Sequence, residues 1–224
     1  MGLFIRHGRR KLLCIPILAL ICLQGGCQFV GMPNVSPKKL VRYQQMLDLS
    51  GLKDIETNEH VRVKVATPKS WEALPVYKAA LYTHQQWRSQ THRNGVGVVY
   101  IRMPFPFSAS TLTWLAEREY SKRADDGKVV AQWTDSIGRP WFEVENKKFH
   151  VRGYVMTTGL DAWIVYAGYR VLEQPEPEEI SLSSRSLESI VPIPRGEEIS
   201  PATSKESEAQ VSSNPNSETR MTNQ

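Results

Sequence analysis

The sequence predicts an α+β domain, an antiparallel β-sheet with helices packed on it. Three observations predict it. HVRVKVATP (60–68) alternates, with Val61, Val63 and Val65 on one face and Arg62 and Lys64 on the other, the period of a half-buried strand. Four more strand-like runs follow one another between residues 129 and 171, separated by short turn signals. Residues 108–123, and a second segment opening at Pro175, repeat their apolar positions at helical spacing. Sequential antiparallel strands with helices laid on the sheet make an α+β fold.

The 224 residues are 41% hydrophobic and 23% charged, which excludes global disorder, a collagen-like repeat and a polytopic membrane protein. Setting both ends aside leaves roughly 165 residues, enough for one domain with a sizeable core. The net charge of +5 suggests nucleic-acid binding until it is located. Arg6, Arg9, Arg10 and Lys11 lie before residue 27, where there is no Asp or Glu. Without them the excess nearly vanishes, and the remaining charges are interspersed, so no phosphate-binding face is predicted and nucleic acid is not an expected partner.

Those basic residues open an export signal. They precede a 12-residue apolar run, LLCIPILALICL (12–23), and then Gln24, Gly25, Gly26 and Cys27. As a helix the run spans about 18 Å, short of a ~30 Å hydrocarbon core. The other reading of this run is an uncleaved anchor extended through Phe29 and Val30, interrupted at 24–26. Leu23-Gln24-Gly25-Gly26-Cys27 resembles the lipobox of bacterial lipoprotein precursors, with the Leu one place early and Gln24 where an aliphatic residue is usual. The resemblance implies cleavage before Cys27 and lipidation of its thiol. Each buried CH₂ of the acyl chains adds about 0.8 kcal/mol to membrane anchoring. Cys14 and Cys22 fall inside the signal, so the mature chain keeps one cysteine. It has no thiols for an intrachain disulfide, a zinc site or a catalytic nucleophile in the domain.

The remaining elements follow in order. Residues 28–35, with Gly31 and Pro33, read as a tether. Ser36-Pro37 opens a short helix whose apolar face is Leu40, Val41, Met46 and Leu47, ended by Gly51. After the 60–68 strand, a second strand is expected over 76–87, around Ala79, Leu81 and Trp87. Asn94-Gly95 is a turn leading to a third strand through Met103. Pro104-Phe105-Pro106-Phe107 breaks the pairing. The helix over 108–123 is capped by Ser108 or Ser110. It buries Leu112, Leu115, Ala116 and Tyr120 and exposes Glu117, Arg118, Lys122 and Arg123. Asp125-Asp126-Gly127 reads as a turn. VVAQWTDS, PWFEVENK, FHVRGYVM and AWIVYAGYRV are then strands, with turns at 146–147 and 159–161. The last helix carries acidic residues in its first turn, which complement its dipole. Its apolar stripe is Ile180, Leu187, Ile190 and Val191, and Pro192 and Pro194 stop it. From Arg195 the composition turns to Ser, Thr, Asn and Glu, a tail expected to be disordered. The expected organisation is therefore a signal over 1–26, a tether with a short helix over 27–58, the α+β domain over 59–194 and the tail over 195–224.

VRVKVATPKSWEAL and AWIVYAGYRVLEQPEPEEISLSSRSLESI resemble the opening and closing segments of the PsbP-like family, which includes a photosystem extrinsic subunit and many bacterial envelope proteins. The resemblance covers roughly residues 60–194. It implies an α/β sandwich and a tendency to bind other proteins, and it brings no catalytic motif.

The chain holds no GxSxG, P-loop, HExxH or CxxC motif, so the sequence assigns no catalytic residue, no metal ligand and no cofactor. Asp135, Ser136 and His150 can be drawn as a hydrolytic set, but nothing in the sequence places them together. The six tryptophans all fall in the domain, as core or as a contact face. Trp87-Arg88 and Arg139-Pro140-Trp141 set an Arg beside a Trp read as exposed, and these four residues are the candidate binding residues. The leading expectation is a non-catalytic lipoprotein of the cell envelope, held on the membrane through Cys27 and binding an envelope protein or a small ligand. The alternative is a periplasmic hydrolase or other enzyme with an unrecognised site.

Overall fold

The computed structural model describes residues 35–122 and 127–196. The signal over 1–26, Cys27, the Asp125-Asp126 turn and all but the first two residues of the expected tail lie outside the described residues. The elements are α1 (Pro37–Gln45), β1 (Glu56–Asn58), β2 (Val63–Val65), β3 (Glu72–Ala73), β4 (Tyr77–Lys78), β5 (Tyr82–Arg88), β6 (Asn94–Arg102), α2 (Ala109–Lys122), β7 (Lys128–Thr134), β8 (Pro140–Glu145), β9 (Phe149–Thr158), β10 (Asp161–Arg170), a 3₁₀ turn (Val171–Glu173), α3 (Pro177–Glu188) and β11 (Val191–Pro192). The fold is α+β, with antiparallel pairing in every strand pair and three helices among the described residues.

The large sheet runs β3-β5-β6-β10-β9-β8-β7, with β4 beside β5, and a small sheet runs β1-β2-β11. Strand alternation gives the large sheet two apolar faces. On one, α2 sets Leu112 and Ala116 against Phe142, Val144, Val151, Val155, Ala162 and Tyr166. On the other, α1, α3 and the small sheet set Leu40, Leu187, Ile190, Val61, Val63 and Val65 against Val96, Val98, Tyr154, Trp163 and Val165. The Tyr166 ring lies so close to β6 that a Cβ at residue 97 would overlap it, which is why glycine stands there.

Ser108 caps α2 as expected, its Oγ accepting from the Thr111 N–H at 3.1 Å. Glu178 and Glu179 lie in the first turn of α3, as the dipole argument requires. Several expectations are corrected. The buried face of α1 is Leu40 and Gln44, while Val41 is 37% and Met46 70% exposed, because the helix ends at Gln45 and the Gln44 amide donates to the Ser189 carbonyl. The 60–68 strand shortens to β2, because Arg62 takes a left-handed φ of 52° that ends pairing before it. The 76–87 strand divides into β4 and β5 around a turn, which leaves Ala79 and Leu81 exposed. Asn94 and Gly95 open β6 instead of turning. The turn precedes them, with His92 at φ 60°, and the Asn94 amide donates to the Glu179 carbonyl and Ser183 of α3. Pro192 does not merely stop a helix but pairs with Val63 in the small sheet.

Glu117 is also corrected. It is only 3% exposed and accepts from the Gln132 amide at 2.6 Å. Burial pushes its carboxyl up, and the Gln132 donation opposes this only in part. An acid whose folded-state pKa is raised loses stabilisation as the pH climbs through that value. Glu117→Gln keeps an acceptor for Gln132 and removes the buried charge. Urea unfolding at pH 7 is expected to give a higher midpoint for this variant than for the parent, with the gap closing toward pH 4. An equal or lower midpoint at pH 7 contradicts the assignment.

Candidate binding face

The four residues singled out from sequence do not form one surface. Trp87 is 6% exposed, Trp141 3% and Arg139 1%, so the expected exposure of both Arg-Trp pairs is overturned. Trp87 packs in the core beneath the helices, and Arg88 is half-buried beside Glu72 at 3.9 Å. β5 and β8 lie four strands apart in the sheet, about 19 Å at ~4.8 Å per strand. Burial came from alternation: Trp87 and Trp141 both point to the apolar face shared with Val96 and Tyr154.

Arg139 is a structural cation. Its Nε donates to Asp135 Oδ2 at 2.6 Å and its Nη1 to the Glu188 carbonyl at 3.3 Å. The guanidinium lies against the rings of Tyr154 (4.5 Å), Tyr43 (5.1 Å) and Trp141 (5.3 Å). It thereby ties the β7–β8 turn to α1 and the end of α3. Asp135 also accepts from the Trp141 indole and from the backbone N–H groups of Ile137 and Arg139. This carboxylate is committed to the turn, and register places His150 at the far end of β8 and β9, paired with Glu145. Asp135, Ser136 and His150 are not brought together.

What the sheet does assemble is a row of side chains on β7, β8, β9 and β10. Trp133 and Trp141 stack at 5.5 Å with their planes 10° apart. Arg152 lies over both, 4.7 Å from the Trp141 ring and 5.4 Å from Trp133. Next along the row, His150 Nε2 meets Glu143 Oε1 at 2.7 Å and its Nδ1 faces Glu145 Oε2 at 3.4 Å. Tyr169 stacks on the His150 ring at 4.8 Å. Strand period explains the set: residues 141, 143 and 145 on β8 and 150 and 152 on β9 share one face, and Glu143 pairs with Arg152 in register. Trp133, Arg152, Glu143, His150 and Tyr169 are half-buried, and Trp141 is the floor. Among the described residues, α3 packs on β6 and β10 and away from this row.

Arg152 is the distinctive group. It forms no ion pair among the described residues, and its Nε is buried without a hydrogen-bond partner. A guanidinium lying against indole rings is a planar set of N–H donors, suited to a carboxylate, phosphate or carbonyl acceptor. Burial raises the Tyr169 hydroxyl above its usual range, with Glu145 and Glu143 adding to the effect, so the hydroxyl stays protonated at neutral pH. No group of His, Cys, Asp and Glu among the described residues is arranged to hold a metal ion. A depression lined by Val35, Leu40, Gly138, Pro140 and Met156 offers about 10 Å³, room for one water at most.

The sequence reading includes Trp133, Trp141 and Tyr169 among its aromatic residues and His150 among its polar ones, but Arg152 and Glu143 emerge only with register. The i, i+2 spacing of His150 and Arg152 was the available signal.

The two arginines predict different outcomes. Arg139→Met removes one member of a buried pair and is expected to cost about 3 kcal/mol in urea unfolding, because Asp135 loses its partner. Burial pushes the Asp135 carboxyl up, but donations from Trp141 and Arg139 outweigh it and hold it below the ordinary carboxylate range. Its stabilisation is therefore present above about pH 4 and lost as the pH falls toward the depressed folded-state value. Asp135→Asn is expected to flatten the acid limb of stability against pH. An unchanged acid limb contradicts the role given to Asp135.

No family model matches the chain, and no curated protein matches it in sequence.

Proposed function

We propose that the chain is the precursor of a lipid-anchored protein of the bacterial cell envelope, whose domain binds a protein or small ligand on the open face of its sheet. The observation that carries the binding reading is half-buried Arg152, laid on Trp133 and Trp141 with no ion-pair partner among the described residues. Arg and Trp are the residue types that concentrate binding energy at interfaces. The anchoring half rests on the basic start, the apolar run over 12–23 and the Gly25-Gly26-Cys27 ending. The two-faced antiparallel sheet with helices on both sides is consistent with the PsbP-like sandwich, which we carry as the fold assignment.

Two measurements test this. The acyl-modified residue at the front of the membrane-extracted protein is expected to be Cys27, read by mass spectrometry, and Cys27→Ser is expected to move most of the protein to the soluble fraction. Unchanged membrane retention of that variant refutes the anchor. Arg152→Ala is expected to lower the yield of partner crosslinked in the native envelope by about tenfold, the loss of one charge-assisted contact of roughly 1.4 kcal/mol, while leaving the unfolding midpoint close to the parent's. An undiminished crosslink removes the face from consideration.

A further inference from the structure

The two ends of the large sheet differ in chemistry. At one end, Leu81, Arg102, Asp161 and Thr158 follow one another across β5, β6, β10 and β9. The β9–β10 turn caps that end with Leu160, whose carbonyl accepts from the Met103 N–H at 2.8 Å. The loop after β6 therefore leaves from the same place, and its Phe105 and Phe107 rings lie 4.8 Å apart. Leu81 is 50%, Phe105 42% and Leu160 40% exposed, three large apolar side chains on turns at one end. Isolated exposed apolar residues need no explanation, but a cluster on adjacent turns does.

The charge around this cluster is basic. Lys78 and Arg102 are exposed, and so are Lys38 and Lys39 at the start of α1. Arg195, with its side chain 50% exposed, donates to the Tyr100 hydroxyl at 3.0 Å and lies 4.0 Å from the Asp161 carboxylate, which offsets part of its charge. Asp161 is 6% exposed and already bonded to Tyr100 and to the Arg195 backbone N–H. The opposite end is mixed, with exposed Glu173, Glu176 and Glu178 beside exposed Arg93, Lys147 and Lys148.

The chain also enters at the apolar end. Val35 sits beside Gly138 and lines a depression with Ala109 and Thr158. Cys27 is eight residue steps before Val35, a reach of at most about 29 Å. A chain coming from an anchor at Cys27 joins the domain at this end.

We propose that this end of the domain is a membrane-contacting tip, in which Leu81, Phe105 and Leu160 enter the headgroup region and Arg102, Lys78 and Arg195 meet anionic phospholipid. The proposal rests on the lipid anchor proposed above. The occupant is a lipid surface because the cluster is apolar at its centre and cationic at its rim, the pattern of interfacial membrane binding. It lies where the tether emerges.

The test uses the full chain, extracted from membranes and reconstituted in vesicles of equal parts phosphatidylethanolamine and phosphatidylglycerol. Leu160→Cys and, separately, Leu172→Cys carry an environment-sensitive fluorophore. Leu172 is 85% exposed beside Glu173, beyond the opposite end of β10. Both sites are exposed, so neither change disturbs packing, and Leu81→Cys provides a second position at the tip. Spin-labelled lipid is expected to quench the tip positions about threefold more than position 172. Equal quenching on vesicle-bound protein overturns the tip and leaves the anchor standing. Protein that does not bind the vesicles overturns both. Capture of the residue-160 position by a protein crosslinker in place of lipid also overturns the tip.

Discussion

The centre of the large sheet has no wet face, and the rest of the structure follows from that. β10 pairs along nearly its whole length with β9 on one side and β6 on the other. Trp163 and Val165 are fully buried toward one layer, and Ala162 and Tyr166 toward the other. An antiparallel sheet commonly leaves one face to solvent. AWIVYAGY forbids it, because it is apolar at both parities. Two covering layers are then required, one from α2 and one from α1, α3 and the small sheet.

Polar groups inside the second layer fix where it sits. The Trp163 indole donates to the Val61 carbonyl at 2.9 Å, which docks the small sheet on β10. The Tyr154 hydroxyl donates to the Leu187 carbonyl at 2.8 Å, and Asn94 holds the other end of α3. Ser189 accepts from the Ala66 N–H, joining the end of α3 to the chain just after β2. Buried polar groups left unpaired each cost about 1–3 kcal/mol, so these bonds permit few alternative placements of α3. Pinned over β6 and β10, the helix cannot cover the Glu143–His150 stretch of β8 and β9. The open face is thus a consequence of how the core is satisfied.

The sequence makes the element order legible, because period and turn chemistry are local. The strands from β6 to β10 fall within a residue or two of the runs that signal them, and Ser108 marks the start of α2. Local signals fail where the cause is distant. Gln44 is buried because Ser189 lies across from it, and Glu117 because Gln132 does. Arg62 leaves the strand because its side chain reaches the carbonyls of Ile193 and Pro194, more than a hundred residues on. Trp87 looks exposed beside Arg88, yet adjacent residues of a strand point to opposite faces. In the Arg139 case the cation itself is buried in a box of aromatic rings. The binding face needed three strand registers at once, and register is not written in any one strand.

Arg152 also illustrates why residue type matters on that face. A lysine at 152 would carry the same charge as a hydrated point on a flexible stem, with no planar edge held on the indoles. The guanidinium instead lies against Trp141 and Trp133, in the same row as the Glu143–His150 pair. A partner of the kind proposed would bring an acceptor group for Arg152 and a flat or apolar body for Trp133, beside the Glu143-bound His150 imidazole. With the Leu160 end of the sheet against a bilayer, the strands stand along the membrane normal, and their broad faces look sideways. The row then faces along the membrane plane, where a neighbouring envelope protein can meet it without leaving the lipid surface.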